Sequence, residues 1–331
     1  DTPGFDDVGE LGEKRIQKTK QILNRTDIAV LVVDAKKGFT ATDKQLLALI
    51  QEKELPYLII YNKSDLLEKI PKEEEHSIYI SALEKIGIRE CKEKLAHQIP
   101  TEDMTLQIVG DLLCPGDLAV LVIPIDSAAP KGRLILPQQQ TIRDILECGA
   151  LSLVVRDTEL KSTLDHFLAQ GVCPKLVVTD SQAFARVSKD VPENITLTSF
   201  SILFARYKGE LDTQLKGVAA LSSIEDGDRI LIAEGCTHHR QCNDIGTVKI
   251  PRWLLSSTGK RLTIRTCSGT EFPEDLSGIS LVIHCGGCML NEREIQSRMQ
   301  CAVSQHIPFT NYGILISKMN GILERALKPL E

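Results

Sequence analysis

The chain has 331 residues, of which 42% are hydrophobic and 25% charged, and its formal net charge is −6. This is the composition of an ordinary globular protein of two or three domains. The acidic balance argues against a broad nucleic-acid-binding surface, which needs clustered lysine and arginine. No apolar run approaches the ~20 residues that span a bilayer, nothing at the N-terminus resembles a signal peptide, and the cysteines are mostly isolated. We therefore expect a cytoplasmic protein that binds neither membrane nor nucleic acid and has no disulfide framework.

Apolar runs of strand length recur along the chain, and several are followed by segments with helical spacing. The predicted strands are Ile28–Asp34, Tyr57–Asn62, Ser77–Ser81, Leu118–Ile125, Leu151–Arg156, Lys175–Asp180, Ile195–Thr198, Arg229–Glu234, Leu262–Thr266, Ser280–His284 and Pro308–Thr310. The predicted crossover helices are Thr42–Lys53, Gln138–Cys148, Glu159–Gln170 and Asn291–His306. Continuous valine, isoleucine and leucine runs are typical of parallel strands buried on both faces. The sequence therefore predicts an α/β protein with mainly parallel sheets.

Two stretches have the character of linkers, Ile99–Asp103 and the segment around Phe200–Gly209. They divide the chain into three predicted α/β domains, residues 1–104, 105–199 and 200–331. The first and last domains each contain a group of residues with recognisable chemistry, whereas the central domain carries no such motif.

Three short motifs stand near the ends of successive strands in the first predicted domain. Asp1–Gly4 (Asp-Thr-Pro-Gly) opens the chain, Asn62–Asp65 (Asn-Lys-Ser-Asp) follows the second strand, and Ser81–Ala82 follows the third. Each is a weak signal alone, and Asn-Lys-Ser-Asp also suits a simple turn after a strand. Together and in this order the motifs resemble those of the P-loop GTPases.

The resemblance implies a guanine site made of Asn62, Lys63, Asp65, Ser81 and Ala82. A carboxylate such as Asp65 accepts two hydrogen bonds from guanine N1 and N2, which adenine cannot offer in the same place. Asn62 would brace the loop, and the Lys63 stem would cover the ring. The backbone N–H of Ala82, beside Ser81, would meet guanine O6. We therefore expect GTP as the nucleotide.

On the phosphate side, the resemblance implies that Asp1 holds Mg²⁺ through water and that the Gly4 N–H meets the γ-phosphate. No Gly-x-x-x-x-Gly-Lys-Ser/Thr sequence, the loop that cradles the α- and β-phosphates, occurs in these residues. We expect a preceding segment to carry that loop, and we expect the chain as written not to hydrolyse GTP. No catalytic residue is assigned.

The second group of residues consists of thiols that follow predicted strands in the last domain. Cys236 follows one strand, and Cys285 and Cys288 follow another as a Cys-x-x-Cys, with Cys285 49 positions after Cys236. The carboxyl ends of parallel strands are where open α/β sheets build their sites. Three soft anionic ligands suit an iron–sulfur cluster. Tetrahedral zinc, a redox disulfide pair and simple buried cysteines are the alternatives.

The thiols fall in a longer pattern, in which Cys236–His238 (Cys-x-His) is followed after 45 residues by His284–Cys288 (His-Cys-x-x-Cys). This pattern resembles the maturation GTPases of [FeFe]-hydrogenase. Stretches elsewhere in the chain are also similar to that family, namely Pro124–Asp126, Ala129–Leu134, Asp244–Gly246, Lys249–Leu254 and Thr310–Gly313. The resemblance therefore covers essentially the whole chain.

This resemblance implies a scaffold or carrier with a GTPase domain, a dimerisation domain and a cluster domain. Cys236, Cys285 and Cys288 would ligate a [4Fe–4S] cluster. The cargo would be a di-iron precursor, assembled with two radical-SAM enzymes and delivered to apo-[FeFe]-hydrogenase by a homodimer.

The fourth cluster ligand stays open at this point. Asn243 stands where some relatives carry a glutamate. His238, His284, Cys242, Asp244 and water are the candidates. The alternative function is a GTPase with a structural zinc site that acts in RNA modification or ribosome assembly.

Overall fold

The computed structural model describes residues 18–98, 107–125, 134–209, 211–235, 244–269 and 271–331. They form two compact units, one before residue 99 and one from residue 107 onward. The strands belong to three sheets, and within each sheet neighbouring strands pair in parallel. The predicted fold class is therefore confirmed.

The first unit contains one three-stranded sheet. Its elements are β1 (Ala29–Asp34), α1 (Ala41–Glu52), β2 (Tyr57–Asn62), β3 (Ser77–Tyr79) and α2 (Ile88–His97), with the strands in the order β1-β2-β3. Helix α1 begins at Thr40, whose hydroxyl accepts a hydrogen bond from the Asp43 N–H while the Asp43 carboxylate accepts one from the Thr40 N–H. This capping box satisfies donors that the first turn leaves unpaired.

The connection between β2 and β3 contains no crossover helix. Residues 63–76 carry only a single 3₁₀ turn, Ser64–Leu66. Strands β2 and β3 pair directly and in parallel. The end of β2 therefore lies close to the loop that follows β3. The motifs that follow these strands therefore lie at one edge of the sheet.

The second unit begins with a four-stranded sheet in the order β5-β4-β6-β7. Its elements are β4 (Leu118–Val122), α3 (Leu136–Glu147), β5 (Leu151–Val155), α4 (Leu160–Ala169), β6 (Leu176–Thr179), α5 (Phe184–Asp190), β7 (Thr196–Ser199) and α6 (Phe200–Lys208). Strand β5 lies at the edge of the sheet, where Leu151 and Val154 are 58% and 44% exposed. An apolar edge strand of this kind is a surface on which another chain can pair.

A second four-stranded sheet follows, in the order β11-β10-β8-β9. Its elements are α7 (Leu211–Ala219), β8 (Arg229–Glu234), α8 (Ile250–Thr258), β9 (Thr263–Ser268), β10 (Leu281–His284), α9 (Glu292–Ser304), β11 (Phe309–Asn311), α10 (Tyr312–Met319) and α11 (Leu323–Leu327). The chain winds from β8 to β9 on one side and then crosses to β10 on the other. The carboxyl ends of β8 and β10 thus meet at a topological switch point, where open α/β sheets bind ligands.

One apolar core joins the two sheets of the second unit. Val177 of β6, Ile202 of α6, Ile283 of β10 and Leu315 of α10 belong to the same cluster and are all 0% exposed. The end of the chain also returns to the first of these sheets, since the Arg325 guanidinium donates to carbonyl oxygens at the end of α5 and just after it. No helix in the described segments is long and apolar enough to cross a bilayer.

Gly217→Ala is expected to destabilise the second unit by about 3 kcal/mol, the upper part of the usual range for overpacking. A Cβ atom at this position of α7 would lie 1.9 Å from the carbonyl oxygen of Phe309 in β11, so that the helix or the strand must shift. Chemical denaturation of the purified chain measures the loss. Lys216→Ala on the exposed side of the same helix is the control, and equal stabilities of the two variants would contradict the prediction.

Candidate metal centre and nucleotide site

The predicted cysteine loops begin at neighbouring strand ends. The Cys285 N–H donates to the carbonyl oxygen of Ala233 (2.8 Å), which continues the pairing of β10 with β8. The Gly235 N–H in turn donates to Cys285 Sγ (3.0 Å). Cys236, the next residue along the chain, lies outside the described residues. The Cys285 thiol is therefore held beside the backbone that leads into the first cysteine loop.

The turn after Cys285 brings a second backbone donor to the same sulfur. The Gly287 N–H points to Cys285 Sγ at 3.4 Å, and Gly287 has a φ of +58°, a conformation that favours glycine. A Cβ atom there would also lie 2.5 Å from Cδ1 of Ile295. Cys285 and Cys288 are both half-buried. Backbone N–H donors of this kind stabilise a thiolate ligand.

His284 is buried and has partners on both ring nitrogens. Its Nδ1 lies 2.7 Å from the carbonyl oxygen of Cys285, and its Nε2 lies 3.2 Å from Nη1 of Arg298. Because a guanidinium can only donate, Nε2 accepts and Nδ1 carries the proton. Burial, followed by the charge of Arg298, lowers the pKa of His284 to about 4. In this arrangement neither nitrogen is available to a metal.

Arg298, which sequence reasoning did not single out, belongs to a buried ion pair on α9. Its Nε donates to Oε1 of Glu294 (2.8 Å), and its Nη2 also donates to the carbonyl oxygen of Gly269 (2.6 Å). The two charged side chains are only 3% and 10% exposed. Because Arg298 also contacts His284, the ion pair holds the ring of the histidine that precedes the Cys-x-x-Cys turn in place.

Asp244, another candidate fourth ligand, has a structural partner. Its Oδ1 accepts hydrogen bonds from the backbone N–H and the hydroxyl of Thr247, both at 2.8 Å, and caps the helical turn Ile245–Lys249.

Nearby, the Tyr312 hydroxyl donates to Oε1 of the buried Glu234 (3.4 Å). Burial first, and then the Glu234 charge, raises the pKa of Tyr312 well above its usual range.

The described residues hold only part of the predicted ligand set. Cys285, Cys288, His284 and Asp244 are among them, whereas Cys236, His238 and Cys242 are outside them. Within the described ranges no three His, Cys, Asp or Glu side chains converge as a metal site. The donors of the Cys285 turn fit a soft metal or a cluster, because thiolates with N–H partners are the ligands that such groups take.

In the first unit, the predicted guanine loop is braced by Asn62. Its Oδ1 accepts hydrogen bonds from the Lys63 N–H (2.8 Å) and the Ala82 N–H (3.0 Å). Asn62 therefore joins the loops after β2 and β3. The Ala82 N–H, which the sequence predicts to meet guanine O6, has this side chain as its hydrogen-bond partner.

The other residues of this loop are placed as follows. Lys63 has a φ of +67°, and its Nζ pairs with Oδ2 of Asp34 at 2.7 Å. The hydrogen bond from Lys63 is the main reason that the pKa of Asp34 lies below its usual value. Asp65 is exposed, and Ser81 is buried with its Oγ accepting from the Glu84 N–H (3.1 Å). Asp1 and Gly4 lie outside the described residues.

Asp65→Asn is expected to weaken guanine nucleotide binding by about 2–3 kcal/mol, the contribution of hydrogen bonds to a charged group. The amide presents a donor where guanine N1 and N2 also donate. Xanthine, which carries a carbonyl at position 2, is expected to bind the variant better than guanine does. Titration with fluorescent GDP and XDP measures both affinities. Asp43→Asn in α1 is the control, and an unchanged preference for guanine would contradict the assignment.

Comparison with curated proteins finds GTPases that share only a limited stretch with this chain. The tRNA modification GTPase MnmE of Alkaliphilus oremlandii is 31% identical over 107 residues, which are 30% of this chain and 23% of that protein. The same-named protein of Nitrosomonas europaea is 33% identical over 93 residues, 27% and 20% of the two chains. GTPase Der of Chlamydia pneumoniae is 38% identical over 53 residues, 16% and 11%. The chain thus spans about a quarter or less of the length of these relatives.

Family profiles cover nearly the whole chain. The Elongation factor Tu GTP binding domain matches residues 1–113. The Hydrogen maturase F dimerization domain matches residues 108–209, and the Hydrogen maturase F tetramerization domain matches residues 212–329. The two domain names indicate that such proteins self-associate. A GTP-binding domain followed by these two domains, in this order, shows that the chain belongs to the Hydrogen maturase F family of hydrogenase maturation GTPases.

Proposed function

We propose that this protein is a scaffold that holds a [4Fe–4S] cluster on Cys236, Cys285 and Cys288 and delivers a di-iron precursor to apo-[FeFe]-hydrogenase. The observation that supports the proposal most is the Cys285 thiol, which receives N–H donors from Gly235 and Gly287. When bound, the cluster supplies an iron with an exchangeable position. The di-iron precursor is the cargo, and two radical-SAM maturation enzymes supply it.

Within this proposal, we infer that His284 supplies no ligand to the cluster. Its two nitrogens are engaged by the Cys285 carbonyl oxygen and by Arg298, so binding would break one of these hydrogen bonds. Oδ1 of Asp244 is engaged as the cap on Thr247. His238, Cys242 and water are then the preferred candidates for the exchangeable position, which a carrier needs for docking and releasing its cargo.

We propose that the nucleotide regulates the protein and takes no part in the chemistry at iron. Guanine would be bound by Asn62, Lys63, Asp65, Ser81 and Ala82, and Mg²⁺ and phosphate by Asp1 and Gly4. GTP would change the affinity for partner enzymes or the arrangement of the domains. Such a shift requires that the nucleotide bind the alternative states with different affinity.

Self-association is proposed to use the sheet of the central domain, residues 105–199. The edge strand β5 exposes Leu151 and Val154, and two such edges can pair across a two-fold axis. The result would be a homodimer that acts in the cytoplasm, with residues 1–104 binding nucleotide and residues 200–331 binding the cluster.

Anaerobic reconstitution with iron and sulfide tests the cluster. We expect about four irons per chain, as a [4Fe–4S] cluster requires, and a reduced-state EPR signal. Alanine at Cys236 or Cys288 is expected to remove that signal, whereas alanine at Cys148, which directly follows α3, is expected to retain it. Stoichiometric zinc with no cluster after reconstitution would overturn the proposal.

That outcome would favour the alternative function, a GTPase with a structural zinc site that acts in RNA modification. The names of the curated relatives, which are tRNA modification GTPases, are the observation in its favour. The net charge of −6 weighs against it, because an RNA-binding surface needs clustered cations.

A further inference from the structure

A lysine at the end of helix α6 contacts the turn that follows Cys285. Lys208 is the last residue of α6, and it is 8% exposed. Its Nζ donates to the carbonyl oxygen of Leu290 (2.8 Å) and to that of Gly287 (3.3 Å). The ammonium therefore ties together two carbonyl groups of the turn that carries Cys285 and Cys288.

A buried ammonium is costly unless negative charge lies nearby. The acceptors at Gly287 and Leu290 are neutral carbonyl groups. Burial lowers the pKa of Lys208, while Cys288 first, and then Glu292 and Cys285, act in the opposite direction. Both thiols of the proposed cluster site and the Glu292 carboxylate therefore lie near this lysine.

Helix α6 presents this lysine rigidly. Its N-terminus is capped by Ser199, whose hydroxyl accepts from the Ile202 N–H, and Ile202 is fully buried in the shared core. Two residues before Lys208, Arg206 donates to both carboxylate oxygens of Asp111 (2.9 and 2.7 Å). Contacts at both ends therefore hold the helix in place. The backbone of Lys208 is held with it, next to the turn that carries the cysteines.

We propose that Lys208 is a positioning residue of the cluster site. Its ammonium holds the turn between Cys285 and Leu290 so that both thiols can serve one cluster, and its charge offsets the negative charge that the cluster gains on reduction. The inference rests on the proposed function. It adds to that function a cation from α6 that sets how readily the bound cluster accepts an electron.

Lys208→Met removes both the charge and the hydrogen bonds, and Lys208→Gln removes the charge but keeps an N–H donor. Both variants, with wild type and Lys208→Arg, are reconstituted with iron and sulfide in the full chain. Redox titration followed by EPR then measures the reduction midpoint potential. Loss of the cation is expected to make reduction at least tenfold less favourable, a shift of about 59 mV to more negative potential. Lys208→Arg is expected to restore most of the wild-type potential.

Lys216→Met is the control, because it removes an exposed cation from α7 in the same unit. Its potential is expected to equal that of wild type. Wild-type potentials in both Lys208→Gln and Lys208→Met would overturn the role of Lys208 and leave the scaffold proposal standing. If Lys208→Met does not fold, Lys208→Gln decides the question alone. A wild-type protein that forms no cluster would instead refute the proposed function.

Discussion

Cys285→Ser is expected to lower the iron content after reconstitution from about four atoms per chain to less than one, while the apoprotein stays folded. The reason is that serine can still accept the hydrogen bonds from Gly235 and Gly287 that the thiol accepts. An alcohol oxygen is a poor substitute for a soft thiolate at iron. The change therefore separates the role of Cys285 as a ligand from its role in the turn.

Iron analysis and the reduced-state EPR spectrum measure the first part of this prediction. Chemical denaturation of the apoprotein measures the second, with an expected change within about 1 kcal/mol, the size of one hydrogen bond. Cys301→Ser is the control, because Cys301 packs against a separate apolar cluster that contains Leu276 and Phe309. Full iron in Cys285→Ser, or equal iron loss in Cys301→Ser, would show that Cys285 is not a specific ligand.

Arg298→Met is expected to cost about 3–5 kcal/mol of unfolding free energy, the range for breaking a buried ion pair by removing one partner. The substitution leaves the Glu294 carboxylate buried without its cation. It also removes the donors to His284 Nε2 and to the Gly269 carbonyl oxygen. Because His284 precedes Cys285, we expect iron loading to fall as well. Denaturant titration of the apoprotein measures the loss of stability.

The chain offers a matched control on α3. Arg143 and Glu147 form an ion pair with the same i, i+4 spacing, but their side chains are 76% and 58% exposed. Arg143→Met is therefore expected to cost no more than about 0.5 kcal/mol. Adding Glu294→Leu to Arg298→Met is expected to recover part of the loss, because it removes the unpaired buried charge. Similar losses in the two single variants would contradict the argument from burial.

Much of the fold could be predicted from local patterns. Every predicted strand has a counterpart among β1–β11, because short apolar runs indicate buried parallel strands wherever they occur. The four predicted helices correspond to α1, α3, α4 and α9, with ends that differ by a few residues. The positions of the Asn62 and Cys285 motifs directly after strands also follow from the sequence, since a motif keeps its distance from the run that precedes it.

The partners of the site residues could not be predicted in this way. The sequence makes His284 a candidate ligand, and only the fold shows that Arg298 of α9 lies at its ring. Lys208, at the end of a mostly apolar helix, gave no signal beyond being a cation in a buried segment. Asn62 meets Ala82 only because β2 pairs with β3.

The sequence by itself therefore determined the class of fold, the family and the residue types of both candidate sites. The tertiary structure decided that β8 lies beside β10, so that Gly235 and Cys285 meet although they are far apart in the chain. It also decided which polar side chains are engaged elsewhere. The physical reason is that the periodicity of apolar residues, which indicates burial, depends on residues close together in the chain. Strand order and hydrogen-bond partners depend instead on how distant elements pack together.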